Sequence, residues 1–306
     1  MNILITSIGA NSAITAAKFF RNKNVKIIGT DLLKEHEIAG SKFCDKFYTI
    51  LKCSDQNFIP NIIEICKVEK VDLLIPMFDQ ELEVLSKQKN LLGDIKLLAS
   101  PYNTIKNCND KWQTYNFFKS NNIPTPKTYL SEIPEDIGEN IIYKLREGIG
   151  TKGFIDNGLV FKTVPKDYIA QEKIFGQEYT IDCFCDKNGI LIFAVPRKRI
   201  EVKEGICYKG ETVRNDIFLE DINKIIKNLK FYGPFNIQVF LTPDNKQYYI
   251  EINPRIGASS IITQAAGVDV GDLIIKLVND IDIKPINNYN IVRMNRFFSE
   301  FFFYDY

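Results

Sequence analysis

Residues 248–253, YYIEIN, form an apolar stretch interrupted by Glu251 and Asn253, two apart, and Pro254, Arg255 and Gly257 come directly after. In a strand, side chains at i and i+2 share a face, so Glu251 and Asn253 point together while Ile250 and Ile252 point to the other side. Upstream, residues 235–241 alternate in the same manner, and residues 242–246 hold Pro, Asp and Asn, the residues of a turn. The spacing predicts a hairpin. With Asp244 and Asn245 as a two-residue turn, Gln238 falls opposite Glu251 and Asn236 opposite Asn253. One face then gathers Asn236, Gln238, Glu251 and Asn253, and Ile237, Val239, Leu241, Ile250 and Ile252 make a core layer on the other. Oxygen donors around one carboxylate suit a hard cation such as Mg²⁺, which takes one or two carboxylates, water and substrate phosphates. Arg255, just past the strand, could neutralise a phosphate beside the metal. A hairpin whose polar face is merely solvated fits the same residues.

The elements that must position this face can be read along the chain. Residues 1–100 alternate buried-type strands (NILITSIG, VKIIGTD, VDLLIPM, IKLLAS) with amphipathic helices (SAITAAKFFRNK, FIPNIIEICKVEK, QELEVLSKQKNLL), the pattern of a parallel βαβ sheet. A doubly wound α/β domain is expected. Its first turn, residues 7–13, opens a helix after a strand, and Asp31 ends the second strand where a dinucleotide enzyme grips ribose. The turn has one glycine where that fingerprint wants three, so a plain tight turn is the expectation.

Further on, Asn109 or Asp110 can cap a helix running to about Lys119, and the segment NNIPTP ends it, which marks a domain boundary. In NIIYKLREGIGTKGFI, Lys144 and Arg146 project from one strand face, and Gly148, Gly150 and Gly153 accompany Lys152 in a loop. Such a loop can cover phosphates, because glycines let backbone amides approach an anion; an ordinary glycine-containing hairpin fits equally. YIAQEKIFGQEYTIDCFCD gives two strands around Phe175-Gly176 and carries Glu172 and Glu178. After the strand ILIFAVP, Arg197 and Arg199 share a face of what reads as a solvated edge, and VRMNRFFSEFFFYDY reads as a last aromatic strand.

Composition narrows the classes. With 306 residues, 45% hydrophobic and 25% charged, the chain has room for a large core and roughly two domains. Lys plus Arg number 39 against 38 Asp plus Glu, so neither a nucleic-acid footprint nor a membrane-attracted surface is expected. No apolar run reaches the ~18 residues of a membrane span, and no basic region precedes the first apolar stretch, which points to a cytoplasmic protein. Seven cysteines without a Cys-x-x-Cys motif argue against a disulfide framework and a zinc site, and Cys183 and Cys185 read as core residues. His36 is the one histidine, so a Ser-His-Asp mechanism would rest on it alone.

In their order, these motifs resemble the ATP-grasp superfamily, in particular the synthetase halves of carbamoyl-phosphate synthase. The resemblance runs through the Asp-Lys helix start (Asp110, Lys111), the strand lysine Lys144, the glycine loop at 146–153, Gln171-Glu172, Gly-x-Glu-Tyr-Thr at 176–180, Gln238, and Glu-Ile-Asn-Pro-Arg at 251–255. It implies a Rossmann-like pre-ATP-grasp domain at 1–107 and an ATP-grasp domain at 108–306, with a lid subdomain at about 123–174 and a catalytic subdomain at about 175–306. It further implies ATP contacts from Lys111, Lys144, Gly150, Lys152, Gln171, Glu172 and Glu178, the last on the ribose. Gln238, Glu251 and Asn253 would hold Mg²⁺, or Mn²⁺, and Arg255 with Lys144 would act on the transferring phosphoryl group. The implied activity is an ADP-forming carboxylate-amine ligase with small-molecule substrates, and a homodimer is possible. Arg197, Arg199, Arg214 and Arg293 are candidate anchors for an anionic substrate. The stretch after Arg255 is too short for the C-terminal domain of a biotin carboxylase or a duplicated synthetase half, so a single ATP-grasp unit is expected. The alternative is a regulatory ATP-binding protein that keeps the pocket without turnover.

Overall fold

In a computed structural model of the chain, the structure describes residues 1–134, 140–148, 153–156, 161 and 163–304. The N-terminal part runs β1 (Asn2–Ile5), α1 (Asn11–Phe19), β2 (Lys26–Asp31), β3 (Lys46–Thr49), α2 (Phe58–Val68), β4 (Leu73–Ile75), α3 (Asp79–Lys87) and β5 (Lys96–Leu97). These strands form one parallel sheet in the order β3-β2-β1-β4-β5. Helices cover both faces, which is why Ile3, Leu4, Ile5, Leu73 and Leu74 are fully buried and the strands read as unbroken apolar runs.

Two helices, α4 (Tyr102–Asn109) and α5 (Lys111–Ser120), lead into β6 (Thr128–Tyr129), β7 (Ile141–Leu145) and β8 (Tyr168–Glu172), an antiparallel three-stranded sheet ordered β6-β8-β7. The rest comprises β9 (Gln177–Cys185), β10 (Leu191–Lys203), β11 (Ile206–Thr212), α6 (Leu219–Asn228), β12 (Gly233–Leu241), β13 (Gln247–Asn253), α7 (Ile261–Ala265), α8 (Val270–Val278) and β14 (Arg293–Asn295). Its strands form a six-stranded antiparallel sheet, β13-β12-β9-β10-β11-β14. The expected α/β class, opening on a doubly wound parallel sheet, is the observed one, and the sheets after it are antiparallel. Among the described residues no helix is long and apolar enough to cross a membrane.

One apolar cluster joins the two large sheets. It holds Ile3, Ile5, Phe19 and Ile75 from the N-terminal part together with Phe184, Val195, Leu273, Ile274 and Leu277. Each such side chain contributes about 1.5–3 kcal/mol on full burial, so the two parts pack as one body at this seam. Gly271 makes the approach of α8 possible: a Cβ there would stand 2.3 Å from the carbonyl oxygen of Phe19 on α1.

The β12–β13 hairpin departs from expectation in its turn. The loop between Thr242 and Lys246 has three residues, with Asn245 in the left-handed region at φ 62°, a conformation that asparagine tolerates. A bulge then adds one residue to β13, between the pairs Val239–Tyr249 and Gln238–Glu251. The longer loop shifts the register by one and the bulge shifts it back, so Gln238 does face Glu251 and Asn236 faces Asn253. Between them the faces change: Tyr249, not Ile250, is fully buried in the core layer, where Ile237, Val239 and Ile252 also lie. Leu241 is only partly buried. The last strand is also shorter than the aromatic segment, since β14 stops at Asn295 and Phe297, Phe298 and Phe302 are exposed.

Candidate active site

A cavity of about 240 Å³ opens between the three-stranded and six-stranded sheets. Lys111, Lys144, Glu178, Arg199, Gln238 and Glu251 line it, with Ile142, Leu145, Phe154, Val202, Phe240 and Ile250 as apolar walls. Polar groups of both signs thus meet inside a largely apolar cleft, the form of a small-molecule site.

Each polar wall residue is placed by a local device. Asp110 caps α5 by accepting from Trp112 N at 2.9 Å and Gln113 N at 3.3 Å, and this starts the helix at Lys111. The same carboxylate takes Arg146 Nε at 2.9 Å and Nη2 at 2.6 Å, so Arg146 fastens the helix start to the end of β7 and does not face the cavity. Lys111 donates to the carbonyl of Gly148 at 3.1 Å. Lys144, on β7, donates to Gln171 Oε1 at 2.8 Å, and Gln171 is fixed in turn by donating to Thr128 Oγ1 at 3.0 Å. Loss of water lowers the Lys144 pKa to about 8; Glu251 and Glu178 oppose that shift and Lys111 adds to it.

On the six-stranded sheet, Glu178 pairs with Arg199 at 3.1 Å. Burial raises the Glu178 pKa, while Arg199 and Lys144 pull it back. Gln238 and Glu251 stand opposite each other on β12 and β13. Asn253, one pleat further on, donates to Asn236 Oδ1 at 3.2 Å, and Asn236 donates to the carbonyl of Arg255 at 3.2 Å. Arg255 makes a two-pronged pair with Asp79, Nε to Oδ1 at 2.5 Å and Nη2 to Oδ2 at 3.1 Å.

The remaining candidates fall elsewhere. Gly150 and Lys152 lie outside the described residues. The Glu172 amide donates to the carbonyl of Lys127 at 2.8 Å, and its carboxylate accepts from Lys127 N at 3.1 Å, so both are used in joining β8 to the segment before β6. Arg197 is buried against Asp182, Nε to Oδ2 at 2.9 Å, and Asp182 also accepts from Ser260 and Thr263. Arg197 and Arg199 are not on a solvated edge, because β10 lies inside the sheet between β9 and β11. Arg214 donates to the carbonyl of Tyr289, and Arg293 is exposed beside Glu211. The first βα turn closes on itself: Gly9 N donates to Asp31 Oδ2 at 2.9 Å and Leu33 N to Oδ1 at 3.2 Å, so both oxygens of Asp31 serve the backbone.

Sequence reasoning passed over Asp79, Ile250, Val202 and Phe240. The bulge explains Ile250; Asp79 carried one signal, an acidic residue where a strand gives way to a helix.

The donor set of Gln238, Glu251 and Asn253 is one carboxylate and two amides, all supplying hard oxygen ligands. It fits Mg²⁺ or Mn²⁺ held largely by ligand phosphates, since those ions keep few protein carboxylates.

Comparison with known proteins agrees with this architecture. Residues 108–259 match the ATP-grasp domain family and residues 3–97 the PylC-like N-terminal domain family. In an alignment 266 positions long that covers 75% of this chain, it is 27% identical to the carbamoyl phosphate synthase large chain of Methanobrevibacter smithii, and it spans 25% of that protein. Among solved structures, N5-carboxyaminoimidazole synthetase from Staphylococcus aureus superposes with a TM-score of 0.72 at 20% identity, over 95% of this chain and 79% of that one. Biotin carboxylase from Campylobacter jejuni gives 0.71 at 16%, over 95% and 73%.

Proposed function

We propose that this chain, a member of the ATP-grasp superfamily, is an ADP-forming ligase that activates a carboxylate as an acyl phosphate and joins it to an amine. The observation that carries the reading is the placing of Gln238 opposite Glu251 on one wall of a cavity whose other wall holds Lys111 and Lys144. Two lysines facing a carboxylate and an amide suit a triphosphate and its cation. Lysine meets phosphate as a point charge, and Glu251, Gln238 and Asn253 would hold Mg²⁺, which neutralises phosphate charge when bound. Glu178 supplies a carboxylate for ribose hydroxyls, and Phe154, Val202, Phe240 and Ile250 offer apolar surface to a base. Gln171 acts by holding Lys144. Gly150, Lys152 and Glu172 are assigned to nucleotide binding on their sequence positions. The proposed division is a pre-ATP-grasp domain to residue 107 and an ATP-grasp domain from 108.

In the reaction, a carboxylate oxygen bonds to the γ-phosphorus as the bond to the β–γ bridging oxygen breaks, and ADP leaves. The amine nitrogen then bonds to the acyl carbon, inorganic phosphate departs and the extra nitrogen proton is released. Such transfer needs positioning and charge neutralisation more than a covalent enzyme nucleophile. Lys144 and Arg255 would meet the oxygens on which charge builds up. Curated relatives are about four times longer than the matched portion, so the amine donor and the carboxylate are assigned by class alone.

A screen of carboxylates and amines for ADP release, with hydroxylamine present to trap the acyl phosphate as a hydroxamate, tests the reading. Production of AMP and pyrophosphate would overturn it. Stoichiometric ATP binding with no substrate-stimulated ADP release would favour a regulatory nucleotide-binding protein.

A further inference from the structure

Asp79 and Arg255 connect the two halves of the molecule at one point, 176 residues apart in sequence. Asp79 is the first residue of α3, just beyond the C-terminal end of β4, the side on which open α/β sheets bind their ligands. Arg255 lies two residues beyond β13, on the same segment as Glu251. The two side chains are 15% and 17% exposed, so the pair is largely shielded from water. A guanidinium offers two forked edges. The Nε–Nη2 edge is committed to Asp79, which leaves the Nη1–Nη2 edge for a second oxyanion.

Both ends of the pair are held through their backbones. The carbonyl of Arg255 accepts from Asn236 Nδ2, and the carbonyl of Asp79 accepts from Asn109 Nδ2 at 3.2 Å, with Asn109 also reaching Glu83 at 3.4 Å. The orientation of Arg255 is thereby fixed from the N-terminal part of the molecule.

We propose that Asp79 is a positioning residue: it turns the free edge of Arg255 toward the transferring phosphoryl group, so the N-terminal domain sets part of the catalytic geometry. This rests on the reading of Arg255 given above. It differs from a structural staple in one respect, since a staple would affect stability without affecting recognition of a phosphoryl mimic.

The test uses the full chain and two titrations, MgADP alone and MgADP with aluminium fluoride, a mimic of the phosphoryl group in flight. In the wild type, the fluoride should tighten MgADP by about tenfold or more, the scale on which orientation matters. Asp79→Asn and Arg255→Ala should each lose most of that tightening while MgADP alone binds within about twofold of wild type, and the double variant should lose no more than Arg255→Ala. Asp79→Glu should recover part of it, and it carries the same comparison should Asp79→Asn fail to fold. Full tightening in Asp79→Asn alongside loss in Arg255→Ala would make Asp79 a staple only and overturn the proposal. Absence of tightening in the wild type, or its survival in Arg255→Ala, would remove the phosphoryl role of Arg255; absence of MgADP binding would remove the nucleotide site itself.

Discussion

Glu178 and Arg199 face each other across β9 and β10 with 3.1 Å between Oε2 and Nε, and the arginine side chain is only 7% exposed. One carboxylate oxygen is thereby engaged, and the other is available to hydroxyl donors in the cavity. Glu178→Gln should raise the KM for ATP about tenfold while kcat stays within about threefold, the signature of binding lost equally in ground and transition states. A 2′,3′-dideoxy analogue should be used poorly by the wild type and no worse by the variant. Equal use of ATP and the analogue by the wild type would remove the ribose role.

Glu251 is the carboxylate among the three proposed cation ligands. Glu251→Gln keeps the shape but deletes the charge and turns one acceptor oxygen into a donor, so ATP turnover should drop by about 100-fold or more, with thermal unfolding nearly unchanged. Gln238→Ala removes a neutral amide and should cost about tenfold. A folded Glu251→Gln variant with wild-type ADP release would sink the metal assignment.

A pH dependence is expected from Lys144. Its pKa is lowered from the ordinary 10.5 to about 8, so the free protein loses this charge as pH rises through 8 while an unfolded chain keeps it to much higher pH. Two effects of opposite sign result. kcat/KM for MgATP should fall above pH 8, by up to about tenfold per unit, because the free enzyme's ionisation governs that parameter. Stability contributed by this group should instead rise between about pH 8 and 10.5, by up to about 1.4 kcal/mol per unit, since the unfolded state there binds more protons. Lys144→Arg should flatten the kinetic fall; a profile unchanged by that substitution would assign the titration to another group.

Arg197 is a buried strut whose partner Asp182 also gathers Ser260 and Thr263. Arg197→Met leaves Asp182 without its counter-charge and should cost about 3–5 kcal/mol in urea unfolding. Loss of activity with unchanged stability would instead place Arg197 against substrate.

Part of this protein was legible in its residues alone. Strands such as NILI and LLI announce a parallel sheet because burial on both faces leaves uninterrupted apolar runs, and the pair Asn109-Asp110 announces the start of α5 because a short polar side chain there can accept from the first amides of a helix. The facing of Gln238 and Glu251 also comes from period-two geometry, although it is reached by a different route. Pro243, Asp244 and Asn245 suit a loop of either two or three residues, and the bulge that compensates for the longer one has no local signature; together they restore the register and exchange Ile250 for Tyr249 in the core. Other features depend on which elements become neighbours. Arg197 and Arg199 look like a solvated charge run until the sheet order puts β10 in its interior, where each must find an acidic partner. Asp79 stands in the sequence as one acidic residue between a strand and a helix, and gains its partner only when packing of α8 on α1 brings the two sheets together. Local propensity and period fix what each segment can be, whereas contacts between distant residues arise only when burial of a shared core selects one arrangement of those segments.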